Sequence, residues 1–194
     1  MRTLTYYIGT TIDGFIADPD GGVEFFDPYV LPELVEHFKA EHPEVLPTHL
    51  HEPLGLGEFE PKRFDTIIQG RTTYDAAYRF GITSPFAHLR QYVVTHSLEV
   101  SPDPAVELVA GDVVAKVREL KAEEGGLGIY LAGGADLAGQ LADEIDEFVV
   151  KTYPVFAGDG VPMSRAGFAP RGLELTGVKV LDMGAVISSY TRKR

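Results

Sequence analysis

An α/β fold is predicted, with a mostly parallel central sheet, helices on both faces and an antiparallel hairpin at the C-terminus. Three features of the sequence predict it. Short β-rich runs alternate with segments of helical period from residue 3 to residue 153, the order of a parallel sheet crossed by helices. The last forty residues switch to two alternating segments, 172–182 and 185–192, parted by Met183–Gly184, which is a hairpin pattern. Three of the strands run into glycine or hydroxyl residues, and in open α/β sheets ligands sit beyond the carboxyl ends of the strands.

Residues 3–9 form a first buried strand ending at Gly9. Residues 10–29 are broken by Gly14, Pro19, Gly21, Gly22 and Pro28 and read as a long ordered loop. Leu31, Leu34, Val35 and Phe38 recur every three or four positions after Pro32, so 31–40 is a helix with proline in its first turn. Residues 41–63, rich in Pro, Gly, His and Glu, read as an irregular surface insertion. Strands follow at 65–69, 91–95 and 105–109, with a helix over 71–79. Val113, Val114, Val117 and Leu120 define a helix over 112–122 that Asp112 caps. A strand at 129–132, a Gly133–Gly134 turn, a helix over 135–143 and a strand over 146–153 complete the alternating part. A chain of 194 residues is one domain of ordinary size.

Composition narrows the function. Asp plus Glu outnumber Lys plus Arg by 29 to 17, a net charge of −12. That argues against partners held by a basic surface, namely nucleic acid and anionic membranes. The absence of cysteine excludes disulfides, thiolate nucleophiles and Cys-ligated metals. No apolar run is long enough for a membrane span or a secretory signal, so the expected location is the cytoplasm.

Three strand ends carry candidate chemistry. Gly70-Arg71-Thr72-Thr73 places an arginine and two hydroxyls in the first turn of a helix, a ready anion site. Thr95-His96-Ser97 offers three groups able to donate to a phosphate or a ribose. Gly133-Gly134-Ala135-Asp136-Leu137 lets backbone approach a ligand closely, although adjacent glycines late in the chain are not a Rossmann fingerprint. Each pattern also occurs as an ordinary capped turn. His42, His49, His51 and Glu52 suggest metal ligands only weakly, because HxH in a Pro-rich stretch is usually solvated, and no metal is expected. Asp13 stands apart from the turn-forming aspartates of the first loop because it directly follows the first strand.

In order along the chain, Tyr7-Ile8-Gly9-Thr10-Thr11-Ile12-Asp13-Gly14-Phe15-Ile16-Ala17, Gly70-Arg71-Thr72-Thr73-Tyr74, Val93-Val94-Thr95-His96-Ser97, Ala132-Gly133-Gly134-Ala135-Asp136-Leu137 and Pro154-Val155-Phe156-Ala157-Gly158-Asp159-Gly160-Val161-Pro162 resemble five motifs of the dihydrofolate reductase superfold. More closely, the chain resembles the branch related to the C-terminal reductase domain of the bifunctional riboflavin-biosynthesis deaminase–reductase. The resemblance implies an NADPH-dependent reductase. Arg71 with Thr95, His96 and Ser97 would surround the adenosine 2′-phosphate. Gly70, Thr72 and Thr73 would hold the pyrophosphate from one side, and Gly133, Gly134, Ala135, Asp136 and Leu137 from the other. Thr10, Ile16 and Ala17 would line the nicotinamide. It also implies a homodimer, through the C-terminal hairpin and the strand over 146–153.

The chain departs from this pattern on the substrate side. It has no tryptophan, and Phe25 or Phe26 stands nearest the expected place in the first long loop. The expected helix-borne acid is offered by Glu33, one position out of register, with Glu36 competing and Asp13 as a further candidate. No "P-x-L-x-x-R" stretch follows the Gly70 helix. The expected activity is hydride transfer to a small pterin-, pyrimidine- or flavin-like substrate. The alternative is a ligand-binding protein without turnover on the same fold.

Overall fold

The computed structural model describes residues 1–193. Eight strands form one sheet: β1 (Leu4–Thr10), β3 (Phe64–Gly70), β4 (Arg90–Val94), β5 (Val106–Val109), β6 (Gly128–Leu131), β7 (Glu147–Thr152), β9 (Leu173–Val180) and β10 (Val186–Arg192). Their order across the sheet is β5-β4-β3-β6-β1-β7-β10-β9. The six strands from β5 to β7 run parallel, and β10 and β9 add an antiparallel edge. Strands in the middle of a parallel sheet are buried on both faces, which is why Ile67-Ile68 and Tyr130-Leu131 are apolar without alternating.

The helices α1 (Pro32–Glu41) and α2 (Arg71–Tyr78) cover one face, while α3 (Val113–Ala122) and α4 (Ala135–Gln140) cover the other. Under α3 and α4 lie Tyr6, Ile68 and Leu131, in one core cluster with Leu137 of α4 and Leu141 just after it. Leu34 and Phe38 of α1 share a core cluster with Tyr7, Ile67, Tyr130 and Val149 of the sheet. Register places Gln69, Tyr130, Tyr7, Gly9 and Lys151 on the α1 face. Asp112 caps α3 as expected, accepting from Ala115 N at 3.0 Å.

Three stretches differ from the expectation. The loop after β1 contains β2 (Phe15–Ala17), which pairs with β8 (Val161–Pro162), and a 3-10 segment over Glu24–Tyr29. The pairing brings the Gly160 backbone against Ala17 and Phe15, so that a β-carbon at Gly160, whose φ is +154°, has no room. Two segments some 145 residues apart meet there, a contact with no local periodicity to announce it. The expected surface insertion is buried over residues 43–46. Val45 and Leu46 join the α1-side core, and the fully buried Glu44 carboxylate accepts from the N–H groups of Arg63 and Phe64 at the start of β3. The helix expected over 135–143 stops at Gln140, where Leu141 turns fully into the core.

The amino-terminal end of the sheet is tied by charge. Arg2, 7% exposed, bonds Asp65, Glu123 Oε2 (2.6 Å), Thr66 Oγ1 (2.7 Å) and Leu127 O (2.8 Å). Arg90 adds a second cation to Glu123 at 2.7 Å. The β9 strand carries a bulge: Gly177 faces Ser189 and Leu175 faces Tyr190, leaving Thr176 unpaired. The extra residue puts Leu173, Leu175, Val178 and Val180 on the same face, and all four are exposed.

The hydrogen bond from Arg90, helped by Arg2, holds the Glu123 carboxyl down at about 2 against an ordinary 4.5. Its stabilising contribution is therefore complete above pH 4.5 and is lost as pH falls from 4.5 toward 2. Glu123→Gln is expected to lower Tm at pH 7 and to flatten the fall of Tm across that acid window, measured by thermal melts at a series of pH values.

Candidate active site

The site is built where β3 and β6 end. Gly70 N–H donates to Gly133 O at 2.9 Å, closing the two strand ends together. A β-carbon at Gly70 would stand 3.6 Å from Gly134 N and 3.9 Å from Leu137 Cβ. Gly133 has a φ of +109°, a conformation that disfavours any side chain, and its peptide bond to Gly134 is cis. Both α2 and α4 start here, after Gly70 and Gly134, with no side-chain cap. Their first turns have no side-chain acceptor, and their dipoles favour an anion. The Thr73 hydroxyl lies about 4 Å from where β-carbons of Gly133 and Gly134 would be, so hydroxyl, turn and helix start converge. Thr72 is exposed beside it. Ala135 and Leu137 are buried and leave only their backbone to the site.

The other expected residues are placed as follows. Arg71 uses Nε on Asp75 (2.7 Å) and lies over the Tyr78 ring, and its two terminal nitrogens make no hydrogen bond among the described residues. Thr95 is buried and accepts from the N–H groups of Ser97 (3.2 Å) and Leu98 (3.1 Å), which holds the turn that exposes His96 and Ser97. The exposed Asp136 side chain pairs with Arg165 at 3.1 Å. Thr10, at the end of β1, is buried; Ile16 and Ala17 lie on β2. Phe25 packs on Phe26 (4.2 Å between ring centres), and Phe26 packs on Tyr153 (4.7 Å) just past β7.

The two candidate acids are engaged elsewhere. Asp13 accepts from Thr11 Oγ1 (2.6 Å), Gly158 N (2.7 Å) and Ala157 N (3.1 Å), pinning the loop after β7 to the loop after β1. Desolvation is the largest single influence and pushes its carboxyl up, but these hydrogen bonds together outweigh it and hold the group below the usual carboxylate range. It is kept ionised, a state that accepts protons. Glu33 accepts from Asp182 N at 2.8 Å, joining α1 to the β9–β10 turn.

Two residues that sequence reading passed over stand on the α1 face of this site. Gln69 directly precedes Gly70 and is 1% exposed, and its amide nitrogen is buried without a hydrogen-bond partner. Lys151 runs beside Gly9, its ammonium 5.0 Å from the Tyr7 ring centre and 4.9 Å from that of Phe38, with no carboxylate paired to it among the described residues. Burial pushes its pKa down to about 8. Both lie inside plain β runs, where nothing marks a polar residue as unpaired. Of the histidines of 41–63, His42 packs edge-on against Tyr7 (5.3 Å between ring centres) and His51 Nε2 meets Leu46 O at 2.9 Å, while His49 is exposed. Among the described residues no group of three His, Asp or Glu is placed to hold a metal ion, and no helix is long and apolar enough to cross a membrane.

The RibD C-terminal domain family matches residues 58–187, which run from before β3 into β10 and include the whole Gly70–Gly133 junction. The chain belongs to this family. Over 193 residues it is 30% identical to YwjB of Bacillus subtilis (strain 168), described as uncharacterized, with 98% of each chain covered. A protein of Shewanella sp. PV-4 assigned to riboflavin biosynthesis superposes over the whole of both chains with a TM-score of 0.74 and 25% identity. Two more distant structures share the fold alone. A diaminohydroxyphosphoribosylaminopyrimidine deaminase/5-amino-6-(5-phosphoribosylamino)uracil reductase of Thermotoga maritima has a TM-score of 0.66 at 14% identity, and 99% of this RibD C-terminal domain chain covers 57% of it. Dihydrofolate reductase of Enterococcus faecalis, complexed with NADP(H), has a TM-score of 0.65 at 17% identity, covering 99% of this chain and 97% of that one. The expected fold and family branch are thereby established, with a RibD C-terminal domain of the dihydrofolate-reductase-like fold.

An unpaired ammonium kept among aromatic rings costs stability, and such groups cluster at functional sites. Lys151 is protonated in both folded and unfolded chains below about pH 8, so the native state bears the whole penalty there; the penalty fades as pH rises from 8 toward the ordinary 10.5. Lys151→Met is expected to raise Tm at pH 7, with the gain shrinking above pH 8, in thermal melts at each pH.

Proposed function

We propose that the protein is an NADPH-dependent reductase of a small heterocyclic substrate. The observation that carries this reading is the closed Gly70–Gly133 junction, where two uncapped helix starts face a turn free of side chains. These residues suit a dinucleotide: backbone N–H groups and hydroxyls for the pyrophosphate, and a guanidinium with two unused nitrogens for a further phosphate. In this reading Gly70, Thr72 and Thr73 hold the pyrophosphate from one side. The backbone of Gly133, Gly134, Ala135 and Asp136 holds it from the other, with Leu137 anchoring that turn in the core. Arg71, Thr95, His96 and Ser97 receive the 2′-phosphate. Thr10, Ile16 and Ala17 border the nicotinamide, and Phe25 and Phe26 border the substrate.

When bound, NADPH supplies a hydride from C4 of its nicotinamide. Reduction of a C=N or C=O group also needs a proton at the nitrogen or oxygen. Asp13 is held ionised and Glu33 is committed to Asp182 N, so Lys151 Nζ is the protein group best suited to give it. The engagement of both carboxylates also favours the second reading, a nucleotide-binding protein without turnover. NADPH oxidation against a panel of pterins, pyrimidines, flavins and quinones separates the two, because tight NADPH binding with no turnover on any of them would sink the reductase reading.

The apolar row Leu173, Leu175, Val178 and Val180 on the edge strand is the surface we assign to a homodimer contact. Val178→Glu is expected to give monomers in sedimentation velocity, with the far-UV spectrum unchanged. Arg71→Ala is expected to weaken NADPH binding about tenfold or more while sparing NADH. The reason is that a charge-assisted contact contributes ~1.5–3 kcal/mol. Titration of both nucleotides against wild type and variant measures it, and equal affinity for the two in wild type would defeat the assignment.

A further inference from the structure

A cavity of about 360 Å³ lies on the α1 face of the sheet behind the Gly70–Gly133 junction, between β3, β6, α2 and the Pro47 loop. That size is in the range of small-molecule sites. Thr73, which also faces the Gly133–Gly134 turn, lies on its border, so the cavity and the proposed cofactor cradle share a wall. Its sides are apolar, with Phe80, Ile82, Phe86 and Tyr130 among them. Its lining includes no Lys, Arg, Asp or Glu. Into this lining is set the carboxamide of Gln69, whose Nε2 is enclosed without a partner. A buried amide without a partner carries a desolvation penalty that a ligand group of matching polarity removes.

We propose that this cavity receives the distal end of the substrate, and that this end is an uncharged planar group carrying a lactam or carboxamide edge read by Gln69. This deepens the reductase reading and rests on it for the identity of the reacting partner. Gln69 stands two strands from Gly9, about 10 Å at ordinary strand spacing. A substrate reduced near Gly9 therefore reaches the cavity with the part remote from the reacting carbon. The carboxamide presents one donor edge and one acceptor edge in either orientation. A lactam answers with its C=O accepting from Nε2 and its N–H donating to Oε1. A phosphate or carboxylate tail is disfavoured by the same lining. No lysine or arginine meets it, the His49 imidazole is the one basic side chain on the lining, and the chain carries a net charge of −12.

Isothermal titration calorimetry tests this with 2-quinolinone, N-methyl-2-quinolinone and 2-oxoquinoline-4-carboxylate as probes, and with NADPH, on wild type, Gln69→Leu and Gln69→Met. 2-Quinolinone is expected to bind wild type about tenfold more tightly than either the N-methyl or the carboxylate probe. In a Gln69 variant whose Tm shows it folded, the two neutral probes should become equal while NADPH affinity stays unchanged. The wild-type comparison stands even where both variants fail to fold. No binding of 2-quinolinone, indifference to N-methylation, or tighter binding of the carboxylate overturns the inference; if NADPH still binds in that case, the reductase reading survives. Normal discrimination among the probes with no NADPH binding supports the pocket and removes the cofactor instead.

Discussion

One backbone hydrogen bond, from Gly70 N–H to Gly133 O, organises the functional edge of this protein. It closes the ends of two neighbouring parallel strands more tightly than the ladder alone would. The starting points of α2 and α4 are fixed by that closure. Glycine is required at Gly133, whose φ is +109°, while a β-carbon at Gly70 would meet Gly134 N and Gly133 O at 3.6–3.7 Å, ordinary van der Waals contact. Everything ascribed to the site is then a matter of distance from this junction: hydroxyls and N–H groups in front, Gln69 and its cavity behind, Gly9 and Lys151 two and three strands away.

Charge is distributed to the same effect. At the amino-terminal end of the sheet, Arg2, Arg63, Arg90 and Lys121 are all paired with carboxylates. In the proposed reading an acidic protein holds an anion without a basic surface, through oriented backbone dipoles and the free nitrogens of Arg71 at the carboxyl edge. The two edges have different roles, one binding the strands by ion pairs and the other leaving its donors open.

The sheet, its helices and the C-terminal hairpin were legible in the sequence because each element carries its own period, and the cap at Asp112 carries its own residue type. The three glycine- or hydroxyl-bearing strand ends were legible because they interrupt those periods. The β2–β8 pairing was not, since its two short strands are neighbours only in space. Nor was the burial of Glu44, whose carboxylate finds its donors at the start of a strand twenty residues later. Lys151 and Gln69 escaped for a related reason. A polar residue in a strand looks the same in sequence whether a partner awaits it or not, and only the packed face shows that none does.

The unpaired Thr176 has a consequence beyond local geometry. Side chains along a strand alternate with a period of two, so one extra residue inverts the facing of everything on one side of it. Leu173 and Leu175 share a face with Val178 and Val180 only because Thr176 is counted out. The continuity of that apolar row is therefore encoded in the length of β9 rather than in the identity of any residue. Loss or gain of a single codon would divide it between opposite faces while leaving every leucine and valine in place.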